Sequence, residues 1–166
     1  MKVTLVGFMG AGKTTIGKLL SERLKTPFLD LDELIVEQVG MSIPEIFKKK
    51  GENEFRKIES SILKELLYQN RSFVLSTGGG TPTYLNNMEL INQNSISVFL
   101  RTDFKTTWRR ISSDENRPLV LLGKEKLLKL YLKRLPFYFK AKLIIDATFL
   151  SPVDTVLNII KVLKSC

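Results

Sequence analysis

The stretch Gly7-Phe8-Met9-Gly10-Ala11-Gly12-Lys13-Thr14-Thr15 organises the chain around it. It follows a short apolar run, Val3-Thr4-Leu5-Val6, and precedes a segment in which Ile16, Leu19, Leu20 and Leu24 recur at helical spacing. In that strand–loop–helix setting, G-x-x-x-x-G-K-[ST] predicts a phosphate-binding loop. Glycines without Cβ let the backbone turn tightly and come close to a ligand. Successive N–H groups then face inward as an anion nest, and the following helix adds its positive N-terminal end. Lys13 is expected to reach β- and γ-phosphates, and the Thr14 hydroxyl to ligate Mg²⁺.

The rest of the composition narrows the class. A chain of 166 residues fits one domain, over 1–166, with a sizeable core. No apolar run is long enough to span a bilayer, so no membrane partner is expected. The chain enters a strand and the phosphate loop at once, so no signal peptide is expected either. The single cysteine, Cys166, cannot form an intrachain disulfide, which agrees with a cytoplasmic protein. The net charge of +9 suits a nucleic-acid binder. The basic residues are spread out, however, and the longest run is Lys48-Lys49-Lys50, so nucleic acid is not the expected partner. Sites for a nucleoside triphosphate and a second anion also need positive charge. The absence of histidine excludes every histidine-based mechanism and metal site, which phosphoryl transfer does not require.

Taken in order, the chain alternates strands and helices. Residues 2–6 predict a buried strand, and Phe28-Leu29 a second one ending in Asp30-Leu31-Asp32. Ligands of such sheets sit at the carboxyl ends of the strands, so these two carboxylates can face a common crevice. The alternative is that Asp32 only caps a helix over 33–39. Gly40 ends that helix, and Ser42-Ile43-Pro44-Glu45 reads as a capping box opening a short helix to Lys50, closed by Gly51. A helix over 53–68 would bury Phe55, Ile58, Ile62, Leu63 and Leu66, and brings Arg56 within reach of Glu59. By itself that pair reads as a surface salt bridge. A third strand over 72–76 runs into Thr77-Gly78-Gly79-Gly80, where backbone is expected to approach a ligand. A helix over 85–93, a strand over 96–100 and a helix capped by Asp103 and carrying Arg109 and Arg110 follow. Residues 112–124 lack periodicity and predict a mobile lid containing Arg117. A helix from Lys124 presents Leu127, Leu128, Tyr131, Leu132 and Leu135 as its apolar side, with Arg134 and Tyr138 beyond. A fifth strand over 143–146 and a helix over 152–163, with Val153, Val156, Leu157, Ile160 and Leu163 inward, close the chain. The pattern predicts an α/β protein with a parallel sheet covered on both faces.

With these motifs in hand, the chain strongly resembles shikimate kinase, of the nucleoside-monophosphate-kinase-like branch of phosphate-loop proteins. The resemblance covers nearly the whole length. It rests on residues 7–15, Asp30-Leu31-Asp32, Phe55-Arg56-Lys57-Ile58-Glu59, Ser76-Thr77-Gly78-Gly79-Gly80, Arg117-Pro118-Leu119, and Arg134 with Tyr138. It implies a three-layer α/β/α fold with five parallel strands in the order 2-3-1-4-5, and ATP-dependent phosphorylation of the 3-hydroxyl of shikimate, a step of chorismate and aromatic amino-acid biosynthesis. It implies that Gly10, Ala11, Gly12, Lys13, Thr14 and Thr15 hold the ATP phosphates, and that Thr14, and Asp30 through water, hold one Mg²⁺ per ATP. Asp32 would bind substrate hydroxyls; as an acceptor-only carboxylate it is expected to act as base, or at least to orient the attacking oxygen. Arg56 and Arg134 would clamp the substrate carboxylate, with Gly78, Gly79 and Gly80 completing that pocket. Arg117 would come from the lid, Arg110 would stack on adenine, and Glu59 would hold Arg56. The substrate-binding helical region would span about 32–61, and the enzyme would act as a monomer.

Three positions depart from the family pattern: Phe139 follows Tyr138 where an acidic residue is common, Val120 replaces a usual leucine, and the run from Tyr138 to the fifth strand is one residue short. None of them removes a charged contact. A kinase of another small polyol acid such as gluconate is the nearest rival. A nucleoside monophosphate kinase lacks a recognisable base pocket here, a GTPase lacks its Asn-Lys-x-Asp motif, and a non-catalytic module would not need every charged group that the chemistry uses.

Overall fold

The computed structural model of the chain describes residues 1–114 and 118–165. Among them, five strands form one sheet: β1 (Lys2–Val6), β2 (Phe28–Asp30), β3 (Phe73–Ser76), β4 (Ile96–Arg101) and β5 (Leu143–Asp146). The spatial order is β2-β3-β1-β4-β5, and every pairing is parallel. The expected order and class therefore hold. The connections are the helices α1 (Lys13–Leu24), α2 (Leu31–Val39), α3 (Ile43–Tyr68), α4 (Asn87–Asn94), α5 (Phe104–Ile111) and α6 (Lys124–Tyr138), and α7 (Pro152–Leu163) closes the chain.

Side chains alternate across a strand, and the core divides accordingly. Val3, Leu5, Val74, Val98, Leu100 and Ile145 pack with Ile16 and Leu20 of α1 and Val156 and Ile159 of α7. Val6, Phe73, Leu75 and Phe99 point the other way, into a larger cluster with α2 to α6. Helices thus cover both faces, giving three layers. Gly17 sets how closely α1 lies on the sheet: a Cβ there would overlap the ring of Phe28.

Register brings the strand ends level. Leu5 pairs with Ser76 on one side and Val98 on the other, and Ser76 pairs with Asp30. The phosphate loop, the Asp30 carboxylate and the glycine triplet consequently leave the same edge of the sheet. Thr77 fixes the start of the triplet, since its N–H and hydroxyl both donate to the carbonyl of Leu5, at 3.2 and 3.0 Å.

Several local expectations need correction. The second helix begins at Leu31, and its N-cap is Asp30, whose Oδ1 accepts the N–H of Asp32 at 3.0 Å. Asp32 therefore lies inside the first turn and does not cap. The capping box at Ser42 and Glu45 is present on both sides, and the following helices run on as one with a break at Gly51, where φ is 81°. The helix expected from Leu85 begins at Asn87, because a 3-10 turn over Thr81–Thr83 occupies the chain after the triplet. Leu128 and Leu132 of α6, and Val153 and Leu157 of α7, are exposed; Ile159 takes an inward place instead. A run of leucines broader than one helical face cannot all be buried when only one side meets the sheet. In the expected lid, a 3-10 turn spans Pro118–Leu122, and Arg117 lies outside the described residues.

Candidate active site

The loop between β1 and α1 owes its shape to its glycines. Gly12, with φ at 90°, is the N-cap of α1, a left-handed position that a side chain would strain. Gly10, with φ at 75°, leaves no room for a Cβ, which would meet Ile111 of α5 at 2.8 Å. Ala11 is buried, and its N–H donates to the Phe8 carbonyl at 3.2 Å. Lys13 is buried, and its ammonium donates to the carbonyls of Gly7 and Phe8 at 2.8 and 2.9 Å, which brackets it inside the loop. Thr14 and Thr15 stand exposed on the first turn of α1, where the helix end is positive. Arg110, reaching across from α5, donates to the Gly10 carbonyl at 2.9 Å from an exposed position.

The Thr14 hydroxyl donates to Asp30 Oδ2 at 3.0 Å. The two residues expected to hold Mg²⁺ are therefore adjacent. A hydroxyl and a carboxylate are hard oxygen donors, and Mg²⁺ is commonly bound by one or two carboxylates together with water and phosphate oxygens. The described residues contain no cluster of three or more acidic, histidine or cysteine side chains that could hold a metal ion.

Asp32 faces the same crevice. Its pKa is pushed up to about 6, first by crowding against protein, then by the neighbouring carboxylates Asp30 and Glu59, with Lys13 and Arg56 pulling the other way. Asp32 is exposed toward the crevice, and the like charges of Asp30 and Glu59 help to hold its carboxyl above the usual range. A carboxylate poised near neutral pH is suited to accept a proton.

The triplet after β3 has a different reason for its glycines than the phosphate loop. None of Gly78, Gly79 and Gly80 is among the positive-φ residues. Each instead makes room for a charged side chain. A Cβ on Gly78 would sit 3.1 Å from Glu59 Oε2 and 3.4 Å from Asp32 Oδ1; one on Gly79 would sit 3.1 Å from Arg134 Nη1; one on Gly80 would fall inside the Arg56 guanidinium. Asp32 from α2, Arg56 from α3 and Arg134 from α6 thus converge on three consecutive backbone positions.

Both arginines are held. Arg56 Nη1 donates to Glu59 Oε1 at 2.7 Å, and Glu59 is fully buried, so the surface-pair reading of these residues does not apply. Arg134 is buried, and its guanidinium lies 5.8 Å from the centre of the Phe8 ring, within cation–π range. Burial lowers its pKa from the usual arginine value, while the nearby Tyr138 and Glu59 favour its charge. Tyr138 is fully buried, and its hydroxyl donates to the Gly79 carbonyl at 2.7 Å. Burial raises that hydroxyl's pKa, which keeps it a donor.

Sequence reading missed the part played by Phe8. Its ring packs edge-on against Tyr131 at 5.2 Å and lies under Arg134, so one residue of the phosphate loop supports the far side of the crevice. An aromatic in an exposed-looking glycine loop is the signal that could have pointed to it.

The sequence model of the family described as "Shikimate kinase" matches residues 9–164. The chain is 40% identical over 162 residues to the shikimate kinase of a Sulfurihydrogenibium species, covering 98% of this chain and 97% of that protein. It is 44% identical over 158 residues to the shikimate kinase of Streptococcus gordonii, covering 93% and 95%. The structure of shikimate kinase from Acinetobacter baumannii in complex with shikimate superposes with a TM-score of 0.93 at 38% identity, covering 99% of this chain and 93% of that one. The chain therefore belongs to the shikimate kinase family, kinases that use ATP to phosphorylate shikimate in aromatic amino-acid biosynthesis.

Proposed function

We propose that this chain carries out the family's reaction by dividing the crevice into an anion clamp, a base and a phosphate cradle, and that the acceptor is the 3-hydroxyl of shikimate. The observation that carries the proposal is the convergence of Asp32, Arg56 and Arg134 on Gly78, Gly79 and Gly80. Two guanidinium groups suit a planar carboxylate, which each can meet with paired N–H donors. With the carboxylate so fixed, the ring hydroxyls fall toward Asp32. Asp32 accepts the proton of the 3-hydroxyl as its oxygen attacks the γ-phosphorus of ATP in line, and ADP leaves with the bond to the bridging oxygen.

The phosphates rest on the N–H groups of residues 10–15, and Lys13 exchanges its carbonyl partners for phosphate oxygens. Thr14 and Asp30, the latter through water, would hold Mg²⁺, which would offset the charge of the phosphates. Arg110 would lie against the adenine, and Arg117 would close from the lid over about 112–124. We assign the substrate-binding region to about 32–61 of one domain over 1–166, acting as a monomer in the cytoplasm. The lone cysteine supports that compartment. Among the described residues no helix is long and apolar enough to cross a membrane.

Calorimetric titration with shikimate tests the clamp. Arg56→Ala and Arg134→Ala should each weaken shikimate binding by about 10- to 100-fold, the loss of a hydrogen bond to a charged group, and leave ATP binding unchanged. Unchanged shikimate binding in both variants would overturn it.

A further inference from the structure

The hold on Arg56 does not end at Glu59. That carboxylate is fully buried, and its two oxygens have separate partners: Oε1 accepts from Arg56 Nη1 and Oε2 accepts from the hydroxyl of Thr81, both at 2.7 Å. Thr81 is itself fully buried, and it opens the 3-10 turn that follows the glycine triplet. The turn is fastened in three ways. The Thr81 N–H donates to the Gly78 carbonyl at 3.2 Å, the Thr81 carbonyl accepts from Asn87 Nδ2 at 3.0 Å, and Asn87 Oδ1 accepts from the hydroxyl of Ser60 at 2.7 Å. Ser60 is the neighbour of Glu59 on α3, so the chain of bonds closes on the helix from which it started.

A buried carboxylate with one cation and one hydroxyl has few other ways to rest. Without the hydroxyl, Oε2 would face Gly78 with no donor, and the carboxylate would turn to share both oxygens with Arg56. The guanidinium would turn with it, away from its place against Gly80. We propose that Thr81 is a positioning residue for the carboxylate clamp: its hydroxyl fixes the rotamer of Glu59, and through Glu59 the direction in which Arg56 presents its remaining donors. The inference rests on the reading of Arg56 as one arm of that clamp. It adds a residue that touches no substrate, and it predicts that the residue after the glycine triplet tunes affinity for the acid.

Steady-state kinetics on four variants of the full chain tests it. Thr81→Val replaces the hydroxyl with a methyl group, Thr81→Ser keeps the hydroxyl, Arg56→Ala removes the arm, and the fourth combines Arg56→Ala with Thr81→Val. Thr81→Val should raise KM for shikimate about tenfold, with kcat and KM for ATP within about twofold of the parent. Thr81→Ser should restore the parent KM. The double variant should be no worse for shikimate than Arg56→Ala, because the two changes remove one interaction chain. If the valine variant does not fold, Thr81→Ala reads the same hydroxyl without the added bulk. Parent-like KM in the valine or alanine variant, an equal defect in the serine variant, or additive losses in the double variant would overturn the role of Thr81. Parent-like KM in Arg56→Ala would instead overturn the clamp itself.

Discussion

A methyl group at Gly80 would land inside the Arg56 guanidinium, and one at Gly79 would press on Arg134. Gly80→Ala should therefore turn Arg56 out of the crevice and raise KM for shikimate about 10-fold or more, the loss of one charged hydrogen bond, with KM for ATP unchanged. Steady-state kinetics varying each substrate in turn checks this; an effect on ATP alone would show that the triplet serves the nucleotide. Asp32 makes a second prediction at this scale. A base must be deprotonated to act, and its pKa is raised to about 6. The value of kcat/KM should accordingly fall as pH drops through about 6 and level off above it, and Asp32→Asn should lose that limb along with about 10²- to 10⁴-fold in kcat. A pH profile of both proteins decides the point, and retention of the limb in the variant would assign it to another group. The two aspartates and the three glycines were legible beforehand as ligand-facing positions, whereas the pairing of Arg56 with Arg134 as a clamp came from the family resemblance. What stayed hidden was the purpose of the glycines. In sequence, Gly10 and Gly80 look alike. One answers to a positive φ and the other to the space that a guanidinium needs, and only the fold separates those demands.

Elements set where these residues point. The 15-residue α6 contributes Arg134 and Tyr138 from its last turns, and Tyr138 ties the helix to the triplet through the Gly79 carbonyl. Strand ends and most helix boundaries could be read from apolar periodicity and breakers, because Gly40, Gly51 and Pro27 interrupt the pattern where the chain turns. The apolar faces were less legible. Leu127 is fully buried while Leu128 and Leu132 are exposed, since a leucine-rich helix carries no mark of which stripe meets the sheet. Leu127→Ala should cost about 2–5 kcal/mol of stability and Leu128→Ala within about 0.5 kcal/mol, measured by urea unfolding. Equal losses would contradict the packing of α6. On the other face of the sheet, Gly17→Ala should push α1 off Phe28 and cost about 1–3 kcal/mol by overpacking. The same unfolding experiment reads it, and a neutral result would mean that the Phe28 ring moves aside freely.

For the molecule as a whole, parallel pairing is what joins sequence-distant groups. Val6, Asp30 and Ser76 end their strands at one edge of the sheet, so the phosphate loop, the acidic pair and the triplet meet although up to some seventy residues separate them. The sheet order came from the family resemblance, since local periodicity says nothing about which strands are neighbours. The net charge of +9 is suggestive of nucleic acid in isolation, but here it accompanies two anionic substrates. On the proposed reading, one crevice recognises the carboxylate of shikimate and delivers its hydroxyl to ATP. The most direct test is release of ADP from Mg-ATP with shikimate, gluconate or nucleoside monophosphates as acceptor, run beside Arg56→Ala. The account predicts turnover on shikimate alone, with a KM for shikimate raised at least about tenfold in the variant. Turnover on another acceptor, or a variant indistinguishable from the parent on shikimate, would contradict it.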